Sequence, residues 1–123
     1  MKKKFYSRSE WKEGMTFLRL SGDITSEGKE EFKKMLPPDG QTAPVVLDFA
    51  GVDYVNSAGL ALLIGLVRRC RASGCPVGAV NLSAHYRKIF HMVGLNDYIT
   101  VFDGEDAART VLAPENGEGE RDA

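Results

Sequence analysis

Pro44-Val45-Val46-Leu47-Asp48-Phe49 is followed by Ala50-Gly51-Val52-Asp53-Tyr54-Val55, then by Asn56-Ser57-Ala58-Gly59-Leu60-Ala61-Leu62-Leu63-Ile64-Gly65-Leu66-Val67. The first of these pieces is an apolar run with β-branched side chains, which predicts a buried central strand. The second reads as a tight loop. The third opens with Asn56 and Ser57, side chains suited to cap a helix. Its apolar residues then predict a long helix ending near Ser73-Gly74. Pro76-Val77-Gly78-Ala79-Val80-Asn81-Leu82 supplies the next strand. Strand, helix and strand in this order predict parallel neighbours joined by a right-handed crossover.

The flanks extend the pattern. Residues 4–9 read as an edge strand, Trp11-Lys12-Glu13-Gly14 as a turn, and residues 15–20 as a second strand. Ser21-Gly22-Asp23-Ile24-Thr25 reads as a loop, with Thr25 or Ser26 capping a helix that runs to about Leu36. Phe32, Met35 and Leu36 share one side of it, and Pro37-Pro38-Asp39-Gly40 stops it. On the other flank, Ser83 caps a helix through about Val93, closed by Gly94. Residues 98–102 form the last strand. Asp103 caps a final helix carrying Ala107, Ala108, Val111 and Leu112. The order ββαβαβαβα predicts one α/β domain over residues 1–113, its mixed sheet opened by a hairpin. Residues 114–123 are acidic, have no apolar anchor and are expected to be disordered.

Composition narrows the function. The chain has 123 residues, the size of one domain. Its 16 basic and 17 acidic residues leave a formal net charge of −1, against the strongly basic balance of a nucleic-acid binder. The longest apolar run, residues 60–67, falls far short of the ~18 residues that span a bilayer. After Met1-Lys2-Lys3-Lys4 the chain has no apolar signal segment, so direct membrane insertion is not expected and the cytoplasm is the expected location. Cys70 and Cys75 fit neither a zinc pattern nor a C-x-x-C motif and read as reduced thiols. With no obvious dimer seam, a monomer is the default.

An enzymatic reading finds little support. Nucleophile-elbow, phosphate-loop and dinucleotide motifs are absent from the sequence. His85 and His91 share a helix but not a face at metal-ligand spacing. Asp48 either hints at a site or binds loop amides at the end of a strand. No catalytic residues, cofactor or metal are expected.

Ser57 is the informative residue. A helix N-terminus presents free amides and a positive dipole end, so a phosphate added there is tolerated. The plainer reading is a cap alone. At 100° per residue, residues 60, 62, 63, 64, 66, 67 and 70 fill an apolar arc of about 200°. Ala61, Gly65, Arg68 and Arg69 occupy the rest, and Ser57 projects near Ala61 and Arg68. This strip of small residues either admits another surface or packs beneath a neighbouring loop. Gly59 also lacks a side chain and would allow close approach of a partner.

In order and spacing, these pieces resemble the STAS family, specifically the bacterial anti-sigma factor antagonists. Leu20-Ser21-Gly22-Asp23-Ile24-Thr25 resembles the family's Leu-x-Gly-acid-aliphatic-Asp loop. Residues 45–49 resemble its central strand. Val52-Asp53-Tyr54-Val55-Asn56-Ser57-Ala58-Gly59-Leu60 resembles its signature, hydrophobic-Asp-Ser-Ser/Thr-Gly-Leu. Asn81-Leu82-Ser83 with Ile89-Phe90-His91-Met92-Val93-Gly94-Leu95 resembles the closing strand and helix. The resemblance implies about five strands and about four helices, packed mainly on one face. It also implies that Ser57 is a phosphoacceptor. The partners implied are an anti-sigma factor with serine kinase activity and a metal-dependent serine phosphatase. Asp23, Thr25, Asn56, Ala58, Gly59, Ala61 and Arg68 would then contact the partner. Three positions depart from the pattern: Asn56 and Thr25 replace acids, and Ala58 removes a second hydroxyl. These departures leave room for a constitutive STAS binding module, or for a STAS subunit of a membrane transport complex.

Overall fold

The computed structural model describes residues 3–35 and 42–114. β1 (Tyr6–Lys12) and β2 (Met15–Ile24) form a hairpin. Its two-residue turn has Glu13 and Gly14 at φ 55° and 79°. Positive φ at both positions suits the right-handed twist of the strands that the turn joins. A 3-10 turn (Ser26–Gly28) leads into α1 (Lys29–Lys34). Then follow β3 (Val45–Val55), α2 (Ser57–Ala72), β4 (Val77–Val80), α3 (Ala84–Met92), a second 3-10 turn (Leu95–Asp97), β5 (Thr100–Val101) and α4 (Glu105–Leu112). The strands lie in the order β1-β2-β3-β4-β5, with β1 antiparallel to β2 and every later pair parallel.

Alternation along the strands splits the core between the two faces. On one face Leu18, Leu20, Leu47, Phe49 and Ala79 meet Phe32 of α1, Leu63, Leu66 and Val67 of α2 and Phe90 of α3. Phe5 stacks on Phe32 at 5.0 Å between ring centroids, and Phe49 meets Phe90 edge-on at 5.8 Å. On the other face Met15, Phe17, Val46, Val80 and Phe102 pack against Ala108 and Leu112 of α4. Three helices therefore cover one face and one short helix covers part of the other, the mixed α/β architecture expected from the sequence.

Several local expectations are corrected. Residues 50–55 and 21–24 are strand, not loop. They pair with each other in parallel beyond the apolar stretch, across register shifts between Arg19 and Ser21 and between Gly22 and Asp23. Gly22, Asp23, Gly51 and Asp53 broke up the strand signal, and residues 50–55 lose burial while their backbone pairing continues. The first helix is a 3-10 turn plus a short α1, with Met35 at its C-cap. Leu36 and the stop signal around Pro37 lie outside the described residues, as do residues 115–123 of the tail. Asp103 does not cap the last helix. Gly104 holds that position without a side-chain bond, and Asp103 pairs with Arg87 at 3.2 Å.

Asp48 reads structurally. It sits opposite Arg19 in the β2–β3 register. It accepts the Ala50 amide at 3.0 Å, Asn81 Nδ2 at 2.8 Å and Arg19 Nη1 at 3.0 Å. Arg19 also binds Glu10 at 2.9 Å and pairs with Glu105 of α4. One guanidinium thus ties β1, β2, β3 and α4 together. Burial pushes the Asp48 carboxyl up, but bonds from Asn81, the Ala50 amide and Arg19 outweigh it and hold it below the usual carboxylate value. The Glu10 carboxyl is also lowered, chiefly by its bond to Arg19. Burial pushes the Cys70 thiol up to about 11 and raises Cys75 as well. Both cysteines are free and buried. No helix among the described residues is long and apolar enough to cross a membrane.

The lowered carboxyls set an acid limit. Their stabilisation is fully present above their unfolded values near pH 4 and is lost as pH falls through the lower folded values. Thermal midpoints measured from pH 6 downwards should therefore drop below about pH 4. Asp48→Asn should lower the midpoint at neutral pH and flatten that acid limb.

Candidate functional site

The parallel run of β2 beside β3 brings two chain turns together at one end of the sheet. At the end of β2, Thr25 is only 5 % exposed. Its Oγ1 accepts the Glu27 amide at 3.2 Å and caps the 3-10 turn. At the end of β3, Asn56 caps α2, its Oδ1 accepting the Gly59 amide at 2.8 Å. The Asn56 amide donates to the Ile24 carbonyl at 3.2 Å and locks the two turns together.

Gly59 makes this junction possible. A Cβ there would stand 1.9 Å from the Ile24 carbonyl oxygen and 2.5 Å from its carbon. The close approach expected at Gly59 is therefore taken by the chain's own Ile24, and Gly59 is buried. This corrects its assignment to a partner surface.

Ser57 is the first residue of α2 and is exposed, as is Ala58. Their amides meet no acceptor among the described residues, as expected for a helix start. Ala61 and Arg68 are exposed further along the same side. Arg68 lies eleven residues beyond Ser57, about 16 Å along the helix axis at 1.5 Å per residue. It cannot reach a phosphate on Ser57, so it belongs to the far end of the strip. Ala61 and Gly65 do not pack beneath a loop. They line a shallow groove of about 160 Å³ with Lys29, Phe32, Leu62 and Arg69.

Asp23 is turned to a structural task. Its Oδ2 accepts the Lys3 amide at 3.0 Å, and its own amide donates to the Lys3 carbonyl at 2.9 Å. Lys3 Nζ reaches Asp53 at 3.0 Å, so the N-terminal segment straps the ends of both strands.

Two further positions support the site, one legible in the sequence and one not. Gly22, at φ +92°, passes so close to the N-terminal segment that a Cβ would lie 2.1 Å from the Lys4 carbonyl. The Tyr86 hydroxyl accepts the Val55 amide at 3.0 Å and steadies the strand end before Asn56. Gly22 had its signal in the sequence, as a glycine in a quoted motif. Tyr86 had none, because its contact spans the fold.

His85 and His91 are exposed, and His85 lies edge-on to Tyr86 at 4.7 Å. No group of three His, Cys, Asp or Glu side chains that could hold a metal occurs among the described residues. The arrangement provides an exposed hydroxyl, free amides and a small-residue surface, which suit covalent marking and protein contact.

The junction makes two graded predictions, readable by urea unfolding. Asn56→Ala removes a capping acceptor and should cost about 1 kcal/mol. Gly59→Ala forces α2 away from Ile24 and should cost roughly 3 kcal/mol or more.

Comparison with known proteins agrees with this geometry. The family model described as "Mlab, STAS domain" matches residues 7–102. A curated relative, "Putative anti-sigma factor antagonist BtrV" of Bordetella bronchiseptica, is 28% identical over 98 residues, covering 78% of this chain and 84% of the relative. Among solved structures, an anti-sigma factor antagonist from Mycobacterium paratuberculosis matches with a TM-score of 0.70 at 19% identity, covering 89% of this chain and 94% of that one. The phosphorylated form of the Bacillus cell fate determinant SpoIIAA matches with a TM-score of 0.62 at 20% identity, covering 85% and 98%. With a family match across most of its length and the fold to go with it, this chain belongs to the STAS domain family.

Proposed function

We propose that this chain is an anti-sigma factor antagonist, a binding module switched by phosphorylation of Ser57. The observation that carries the reading is an exposed serine on the first turn of α2, beside amides that meet no acceptor among the described residues. The name of the Bordetella relative and the titles of the structural neighbours support the regulatory role. The SpoIIAA title supports phosphorylation as a state of this fold. The partner is an anti-sigma factor with serine kinase activity, docking across Ser57, Ala58, Ala61 and Arg68. Thr25, Asn56 and Asp23 hold that surface in shape from behind. A metal-dependent serine phosphatase reverses the mark.

Charge is the physical basis of the switch. A phosphoserine adds about −1.5 to −2 charge at neutral pH. The amides and dipole of α2 tolerate it in the free protein. A partner surface pressed against Ala58 and Ala61 must desolvate it, which is costly unless a cation meets it. Arg68 is too distant to do so. Asn56, unlike an acid, adds no repulsion toward the phosphate.

A second reading follows from Asn56 and Thr25. Both side chains are used as caps, and neither supplies a carboxylate beside Ser57. That suits a constitutive binding module, or a STAS subunit of a membrane transport complex, with no kinase to recognise.

Mass spectrometry of the protein from its own cells separates the two readings. The switch predicts one phosphoryl group that is lost in Ser57→Ala. In titrations against the cell's ATP-binding kinase-like proteins, Ser57→Asp should weaken binding by tenfold or more, about 1.4 kcal/mol, while Ser57→Ala binds like the wild type. Absence of phosphate in every growth condition, with Ser57→Asp binding normally, refutes the switch.

A further inference from the structure

The outer edge of β1 is unpaired among the described residues. We infer that two copies of this chain associate there, their β1 strands antiparallel about Ser9, so that one sheet runs through both. This inference does not rest on Ser57 or on the anti-sigma reading.

The hairpin decides which backbone groups face outward. A two-residue turn makes the residues that flank it, Lys12 and Met15, a hydrogen-bonded pair. Alternation along an antiparallel ladder then turns the N–H and C=O groups of Tyr6, Arg8, Glu10 and Lys12 toward β2. Those of Ser7, Ser9 and Trp11 point to the open edge. The β1–β2 register runs unbroken from Tyr6 to Lys12, with no bulge, and β1 contains no proline. Natural proteins commonly use such devices to blunt an edge.

The side chains select the partner and the register. Pairing about Ser9 sets Ser9 against Ser9 and Ser7 against Trp11, so the outward backbone groups meet. It also sets Arg8 against Glu10 twice and Tyr6 against Lys12 twice. Opposite charges directly across a ladder stabilise it, and like charges destabilise it. Pairing about Arg8 would set arginine against arginine, and pairing about Glu10 would set glutamate against glutamate. Registers centred on Ser7 or Trp11 align only part of the strand. The register that uses the full strand is thus also the charge-complementary one.

The single copy leaves the required groups available. Arg8 is exposed and forms no ion pair among the described residues. Arg19 reaches Glu10 through Oε1 in both of its bonds, leaving Oε2 for an arginine of a second copy. Tyr6 and Trp11 are 57 % and 63 % exposed, large rings that a second strand would partly cover. A single strand pairing is a small interface, so the association is weak, with a dissociation constant on the order of tens of micromolar.

Sedimentation velocity on the full chain, from about 5 μM to about 500 μM, tests this by mass action. The weight-average mass should climb toward that of a dimer, less steeply at high salt. Arg8→Glu faces Glu10 with a like charge in both pairs and should raise the dissociation constant tenfold or more. Ser9→Pro removes an outward N–H while leaving the β2 ladder bonded, and should do the same; Ser9→Ala should not. Circular dichroism identical to that of the wild type shows that Arg8→Glu still folds. A chain monomeric at every concentration overturns the inference and leaves the edge to a peptide strand of another protein. A dimer indifferent to both Arg8→Glu and Ser9→Pro overturns it too, by placing the contact elsewhere.

Discussion

Parallel pairing of β2 with β3 carries the molecule, from Thr16 beside Val45 to Ile24 beside Val55. Its lower half is apolar and holds the core on both faces. In its upper half β3 is exposed or half-buried while β2 keeps Gly22 and Ile24 buried, and the backbone ladder continues through two register shifts. Because the two strands end side by side, the turns at Thr25 and Asn56 meet. The bond from the Asn56 amide to the Ile24 carbonyl and the missing Cβ at Gly59 then let α2 start directly against the end of β2. Everything distinctive about the Ser57 surface follows from that contact.

The same ladder places Arg19 opposite Asp48 on the less covered face. A buried carboxylate is costly unless bonded, and here three donors meet it. Arg19 spreads its donors over carboxylates from β1, β3 and α4, so it docks the last helix and steadies the hairpin together. The face covered by three helices relies on apolar packing instead. One sheet is therefore held by two kinds of force. The polar one reaches Glu10 on β1, whose outer edge is unpaired among the described residues.

Amphiphilic roles divide cleanly along α2. Leu63, Leu66, Val67 and Cys70 are buried, while Ser57, Ala58, Ala61 and Arg68 are exposed. A helix that seals the core with one side can present small residues with the other, because its position is already set by the first. The proposed binding and phosphorylation there would need no rearrangement of the fold. A charge added at Ser57 alters what can approach, not what is packed beneath.

Element order and the cap at Ser83 were legible in the sequence, which also narrowed two other caps to Thr25 or Ser26 and to Asn56 or Ser57; the structure chose Thr25 and Asn56 and left the strip from Ser57 uncovered. Each depends on local periodicity or on a side chain bonding within its own turn. The extension of β2 and β3 through residues 21–24 and 50–55 was not, since each stretch, interrupted by glycine and aspartate, is a strand only because the other lies beside it. Gly59 could be read as an opening, but only the tertiary structure decided that Ile24 fills it. The same holds for the Tyr86 bond to Val55, for Asp103 leaving α4 to pair with Arg87, and for Arg19 gathering three carboxylates. Those contacts join residues far apart in the chain, and no local spacing encodes which distant group will arrive.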